Sequence, residues 1–98
     1  DPKISDERLS IEVVNATDEF GVGGRFARLI SNISGNVVLV STSPRQEDRS
    51  VVLYSGKKTY TLRKLERLLG FEVIQNKSQS LADITIQIGK DYKNLSNF

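Results

Sequence analysis

The chain has the length and composition of one small globular domain. Its 98 residues are 38% hydrophobic and 27% charged, which suffices for one core and leaves no room for separate cofactor and substrate domains. The net charge of +2 is too small to indicate nucleic-acid binding. Cys and His are absent, which excludes disulfides, most zinc, iron–sulfur and haem sites, and Cys–His or Ser–His nucleophiles. We therefore expect no catalysis, no metal and no cofactor.

The first half of the sequence predicts a strand, a helix and a second strand. Residues 1–10 are polar and are interpreted as a linker, and residues 11–17 (IEVVNAT) are typical of a strand that ends in turn formers. A helical stripe follows a glycine-bearing loop and consists of Val22, Phe26, Leu29, Ile30 and Ile33. Gly35 predicts a left-handed helix stop. The apolar run at 37–40 (VVLV) predicts a strand that is central or covered on both faces.

The second half predicts a strand, a second helix and two more strands. These elements are a strand at 51–54 (VVLY), a helix at 59–69 stopped by Gly70, a strand at 71–75 (FEVIQ), a polar loop at 76–80, a strand at 83–88 (DITIQI) and a loose tail at 93–98. The helix places Leu62, Leu65, Leu68 and Leu69 on one stripe. In the last strand, Ile84, Ile86 and Ile88 alternate with polar residues, which predicts a half-buried strand antiparallel to a neighbour.

The element order predicts a single α/β (α+β) domain over residues 11–92. The order is β-α-β-β-α-β-β, and each β-α-β piece should cross over right-handedly. The simplest architecture is a mixed sheet of four or five strands with the two helices mainly on one face.

Four segments in this order resemble a known family. The last, ADITIQIGKDY at 82–92, has an Asp, alternating β-branched residues, Gly, any residue, Asp and an aromatic. With IEVVNAT at 11–17, VVLYSG at 51–56 and GFEVIQ at 70–75, it resembles the C-terminal domain of bacterial LytR-CpsA-Psr cell-envelope proteins. The resemblance covers about residues 11–92. The loop at 18–24 is longer and more charged than the family pattern.

The resemblance implies a setting rather than a chemistry. Such domains follow a catalytic phosphotransferase domain, or stand alone behind a membrane segment, and they are accessory modules. No catalytic residue transfers to this chain. The chain lacks Met and begins at Asp1, so we expect a piece of a longer protein. The resemblance implies that this protein is an extracytoplasmic envelope protein with a membrane anchor upstream.

Three groups of residues are candidate contact sites. A loop site comprises Asn15, Gly23, Gly24 and Arg25, where a helix start could hold a phosphate. The alternative, that Asn15 and the glycines serve turn and packing geometry, is the more common one. A basic cluster around the second helix comprises Lys57, Lys58, Arg63, Lys64 and Arg67, and could meet an anionic polymer or be a solvated face.

The third group is an apolar sheet face. Two helices of this size cover one face of the sheet, so the other should be partly open for docking or self-association. The strands offer two alternating sets of side chains, of which one should face the helices: the first is Val38, Val40, Val52 and Tyr54, and the second is Val37, Leu39, Val51 and Leu53. We take the first set as the candidate docking face.

The sequence therefore predicts a non-catalytic extracytoplasmic module that docks a cell-envelope protein or an anionic wall polymer, with a homodimer as an open alternative. A second hypothesis is a cytoplasmic nucleic-acid-binding or regulatory module, because β-α-β-β-α-β also describes RNA-recognition domains. Nucleic acid is disfavoured because VVLYSG lacks the aromatic pair that stacks bases.

Overall fold

The computed structural model describes residues 1–76 and 81–92. Within them lie three helices and five strands in the order α1 (Pro2–Glu7), β1 (Ser10–Asn15), α2 (Val22–Asn32), β2 (Asn36–Thr42), β3 (Val51–Tyr54), α3 (Tyr60–Leu69), β4 (Glu72–Gln75) and β5 (Ile84–Ile88). The predicted tail at 93–98, and all but the first residue of the predicted loop at 76–80, lie outside the described residues.

The five strands form one mixed sheet in the order β2-β1-β5-β3-β4. Strand β1 pairs parallel with both β2 and β5, and β3 pairs parallel with β4. Strand β5 is antiparallel to β3, which confirms the orientation predicted from its alternation. The sheet thus consists of two parallel β-α-β units, which β5 joins at the centre. The predicted mixed α/β domain is confirmed.

Both long helices pack on the same face of the sheet. The two β-α-β units run in opposite directions and extend to opposite edges, so right-handed crossovers place both helices on one side. The shared core combines alternate strand residues with one stripe from each helix, namely Ile11, Val13, Val52, Ile84, Ile86 and Ile88 with Val22, Phe26, Ile30, Leu62, Leu65 and Leu69. Leu65 is fully buried as the stripe predicts, whereas Leu29 is only half-buried.

The interpretation of residues 1–10 as a linker is wrong for residues 2–7, because these residues form helix α1. Asp1 accepts a hydrogen bond from the Lys3 amide at 3.0 Å, and Pro2 follows it in the first turn, where its missing N–H costs nothing. Ile4 is buried. The Glu7 carboxylate caps α3 by accepting hydrogen bonds from the Tyr60 amide at 3.0 Å and the Thr61 amide at 2.6 Å. Helix α1 is therefore part of the domain.

The two helix stops differ in mechanism. Gly70 ends α3 in the left-handed conformation, with φ of 70°, and donates to the Glu66 carbonyl oxygen, as predicted. After α2 the prediction for Gly35 is wrong, because Ser34 takes the left-handed conformation with φ of 74°. Gly35 is needed for space instead, since a Cβ there would lie 2.8 Å from the Ile30 carbonyl oxygen.

The apolar run at 37–40 lies in the edge strand β2, so the prediction of a central or doubly covered strand is wrong. Val38, Leu39 and Val40 are 53%, 42% and 46% exposed. The pairing with β1 contains a bulge, in which Ile11 faces Val37 while Glu12 faces Leu39. The extra residue shifts the side-chain alternation of β2, so the strand does not follow a simple period of two.

The predicted docking face is also wrong in its residues. Val52 is fully buried opposite Ile86, and Tyr54 is half-buried against the core below the helices. Val40 lies opposite Val13 on this same helix side, although it is 46% exposed at the sheet edge. The opposite face, which we call the open face, carries two cross-strand rows: Leu39, Glu12, Thr85, Leu53 and Ile74, and Ser41, Val14, Gln87, Val51 and Glu72.

Candidate functional site

A cleft of about 340 Å³ lies at the carboxyl ends of β1 and β2. In open α/β sheets this end of parallel strands, where the next helix begins, is the usual place for ligands. The residues that line the cleft include Asn15, Phe20, Gly23, Val40, Ser41 and Thr42. The cleft therefore contains most of the predicted loop site.

Asn15 closes the turn at the floor of this cleft. Its side-chain amide donates to the Glu19 carbonyl oxygen at 2.8 Å, and its side-chain oxygen accepts from the Thr17 amide at 2.9 Å. The Thr17 hydroxyl donates to the same oxygen at 2.5 Å. Both ends of the Asn15 amide are thus used within the protein, which supports the structural interpretation over ligand binding.

The glycines of the loop have separate roles. A Cβ on Gly23 would lie 3.2 Å from Val40 Cγ1 and 3.4 Å from Asn15 Cβ, so this glycine lets α2 pack closely on β1 and β2. Gly21 is the N-cap of α2 with φ of 87°, a conformation that favours glycine. A Cβ on Gly24 would have no neighbour within 4 Å. Gly23 therefore serves helix packing.

Arg25 points away from the cleft toward Tyr92. It donates to the Tyr92 hydroxyl at 3.2 Å and lies 4.0 Å from the Glu19 carboxylate. The Tyr92 hydroxyl in turn donates to Glu19 at 2.9 Å. This hydrogen bond to Glu19 raises the pKa of Tyr92, and desolvation of the hydroxyl raises it further. The hydrogen bond and the charge of Arg25 lower the pKa, but by less. The structure thus brings together three of the four predicted loop residues and excludes Arg25.

The closing motif at 82–92 has a structural explanation. Gly89 lies directly against the backbone of Arg49, where a Cβ would be 2.4 Å from the carbonyl carbon and oxygen. Asp91 accepts a hydrogen bond from the Ser50 amide at 2.7 Å, and Tyr92 packs edge-on against Phe26. The Gly, the second Asp and the aromatic of the motif therefore fasten the end of β5 to the segment before β3 and to α2.

The basic cluster remains on the surface of α3 and the loop before it. Arg63 and Arg67 are exposed one helical turn apart, Lys64 is half-buried, and Lys57 and Lys58 are exposed. Within residues 1–76 and 81–92 the salt bridges are Arg25–Glu19 and Arg49–Glu72, so no cation of the cluster is in salt-bridge contact with a carboxylate. Lys57 acts on the Glu7 carboxyl through its charge and lowers the pKa of that group.

The sequence analysis missed Phe20, an aromatic side chain that is completely exposed at the mouth of the cleft. Its position within a polar, glycine-rich loop (DEFGVGG) is the signal that could have identified it, because such a loop offers no apolar neighbours to bury the ring.

The comparison with known proteins supplies the family. A family model described as LytR cell envelope-related transcriptional attenuator matches residues 8–92. The chain belongs to this family. Like other LytR C-terminal domains it is a cell-envelope accessory domain, and the motifs that carry the resemblance lie in β1, β3, β4, and β5 with the residues that follow it.

A solved structure shares the fold of this LytR C-terminal domain. It is the soluble domain of a conserved hypothetical secreted protein from Mycobacterium marinum, with a TM-score of 0.74 at 13% sequence identity. The match covers 98% of this chain and 67% of that one. No curated protein matches the chain in sequence. In the described part of the domain, no helix is long and apolar enough to span a bilayer, and no group of three or more acidic residues is placed to hold a metal.

Proposed function

We propose that this LytR C-terminal domain is a non-catalytic docking module that works outside the cytoplasm and binds an anionic wall polymer through the basic cluster on α3. The observation that carries the proposal is the cluster itself, in which Arg63, Lys64 and Arg67 lie on one helix without a carboxylate partner among the described residues. The membership in a cell-envelope family supports an extracytoplasmic setting. The proposal includes a membrane anchor in the parent protein upstream of Asp1.

The cluster is suited to a polymer with spaced phosphates rather than to one compact anion. Arg63 and Arg67 are separated by one helical turn, about 6 Å along the axis, so they can contact successive anionic groups. Because the side chains are exposed, each contact is weak and strongly screened by salt. Affinity would come from several contacts along one chain, and a partner protein with an acidic surface would meet the same residues.

The nucleic-acid hypothesis has less support. Proteins that bind single-stranded RNA on a sheet stack bases on aromatic side chains of the central strands. The central strands β1 and β5 carry Glu12, Val14, Thr85 and Gln87 on the open face, and none of these is aromatic. The carboxylate of Glu12 would also repel a phosphate backbone.

The test is titration with a glycerol-phosphate wall polymer by calorimetry, at low salt and at about 0.3 M salt. We expect binding that weakens steeply with salt and is abolished by Arg63→Glu with Arg67→Glu. The matched control is Arg28→Glu with Arg45→Glu, which changes the net charge equally at two exposed positions outside the cluster. Equal loss of binding in both double variants, or no binding by the unaltered protein, would refute the proposal, and tighter binding to RNA of equal charge would favour the nucleic-acid alternative.

A further inference from the structure

Among residues 1–76 and 81–92, β2 pairs only with β1, so its outer edge has no strand partner there. Its seven residues, NVVLVST, include no charged residue and no proline. Natural edge strands commonly carry lysine, proline or inward-pointing charges, which prevent them from pairing with another chain. A β-bulge also protects an edge strand, and β2 has one beside Val37 and Val38. Beyond the bulge the strand continues regularly from Leu39 to Thr42.

The opposite edge of the sheet is different. Strand β4 has only four residues, and its charged residue Glu72 is engaged by Arg49. The Gln75 side chain donates to the Gly56 carbonyl oxygen at 2.9 Å, which ties the end of the strand to the loop after β3. The two edges of one sheet therefore differ in length, charge and protection, and β2 is the one suited to association.

We propose that β2 pairs antiparallel with β2 of a second copy of this chain, about a two-fold axis at Leu39. In this register the apolar side chains of the two strands face each other. Leu39 of each copy faces Leu39 of the other on the open face, and Val38 of one copy faces Val40 of the other. The three exposed apolar residues of each strand thus meet apolar residues, and no like charges face each other.

Phe20 provides an anchor for this pairing. The loop that carries it is held on both sides, because Asn15 and Thr17 bond the backbone of Glu19, and Tyr92 and Arg25 contact its carboxylate. The ring is nevertheless completely exposed and lines the same cleft as Val40. Since Val40 faces Val38 of the other copy, a second strand brings that valine to the mouth of the cleft, where Phe20 covers it. A rigidly displayed aromatic ring loses little entropy on binding.

The size of the contact fits a dimer of moderate affinity. The stretch of β2 after the bulge overlaps the same stretch of the other copy only over residues 38–40, which allows about four backbone hydrogen bonds and hence roughly 400–800 Å² of buried surface. Each Phe20 adds on the order of 150 Å². The total lies near the lower limit of specific interfaces, so we expect a dissociation constant of about 10–100 μM.

Cysteine cross-linking tests the register directly, because the chain contains no cysteine of its own. In the proposed register the two Leu39 side chains are directly opposite, with Cβ atoms about 4.5–5.5 Å apart, close to the separation that a disulfide needs. We expect Leu39→Cys to form a disulfide-linked dimer rapidly under mild oxidation with diamide. Ile74→Cys is the matched control, since Ile74 is 39% exposed on the other edge of the same face. Equal rates for the two variants would overturn the proposal.

A charge-exchange experiment tests the same contact without a covalent bond. Sedimentation velocity from about 1 μM to 1 mM should show a monomer–dimer equilibrium that spans the expected dissociation constant. Leu39→Lys and Leu39→Glu should each be monomeric, and their equimolar mixture should dimerise again. Ile74→Lys should dimerise normally, and Phe20→Ser should weaken the dimer.

Circular dichroism and thermal melting confirm that each variant is folded. The proposal fails if the unaltered chain is monomeric throughout, if Ile74→Lys disrupts the dimer as strongly as Leu39→Lys, or if the mixture stays monomeric. Because these residues lie outside the basic cluster, Arg63→Glu with Arg67→Glu should still dimerise, so the two proposals fail independently.

Discussion

Replacing Gly89 by alanine tests whether the closing motif acts through packing. The added Cβ would lie 2.4 Å from the carbonyl carbon and oxygen of Arg49 and 2.8 Å from its amide nitrogen. These are backbone atoms, so no rotamer change relieves the overlap and the strand end must move. Such overpacking costs about 1–3 kcal/mol. The movement also disturbs the hydrogen bonds from the Gly89 amide to the Ser50 hydroxyl and from the Ser50 amide to Asp91, at about 1 kcal/mol each.

The expected loss for Gly89→Ala is therefore about 3–5 kcal/mol, a large part of the stability of a domain this size. Gly24→Ala is the matched control, because its Cβ has no neighbour within 4 Å and alanine is favoured in a helix by about 0.5–1 kcal/mol. Urea unfolding followed by circular dichroism should show a midpoint lowered by about 2 M or more for the first variant and raised for the second. A Gly89→Ala variant within about 0.5 kcal/mol of the unaltered protein would refute the packing explanation of the motif.

Two further predictions concern the core and helix α1. Leu65→Asp should lower the free energy of unfolding by more than about 3 kcal/mol, because the charge would lie unpaired at a fully buried position. Leu29→Asp should lower it clearly less, because Leu29 is half-buried. Thermal melting compares the two variants, and equal losses would contradict the burial assignment. Desolvation alone would raise the pKa of Glu7, but its hydrogen bonds with Thr61 and Tyr60 and the charge of Lys57 outweigh it and hold the pKa below the usual 4.5. The contribution of the Glu7 carboxylate to the free energy of unfolding should be fully present above the unfolded-state pKa and should be lost as the pH falls through the lower folded-state pKa. The difference in stability between the unaltered protein and Glu7→Gln should therefore disappear on acidification. A difference that persists in acid would contradict this linkage.

The periodicity of the sequence was sufficient for the elements that have a strong pattern. The helical stripe with Leu62 and Leu65 and the alternation of Ile84, Ile86 and Ile88 predicted α3 and β5 because each pattern reflects burial on one side. Helix α1 was missed because six residues with one buried side chain have no detectable period, and the Asp1 cap followed by Pro2 is only a short start signal. The contact of Glu7 with α3 is a tertiary one. Tertiary contacts of this kind leave no local signal.

The docking surface could not be predicted from the alternation of β2 for a related reason. A bulge adds one residue, and one residue is enough to move every following side chain to the other face. The sequence also does not indicate which apolar run lies at the sheet edge, because a run such as VVLV is compatible with a buried central strand and with an exposed edge strand. The candidate basic cluster was predictable because exposed charges on a helix need only the helical period.

The position of β5 has a consequence for how the domain forms during synthesis. The last strand in the described sequence is the central strand of the sheet, between β1 and β3. Each β-α-β unit can gather its own local contacts as soon as it is made, but the two units share no strand pairing until β5 arrives. The core therefore closes only after translation has passed residue 88, and until then the nascent chain exposes the inner edges of two incomplete sheets.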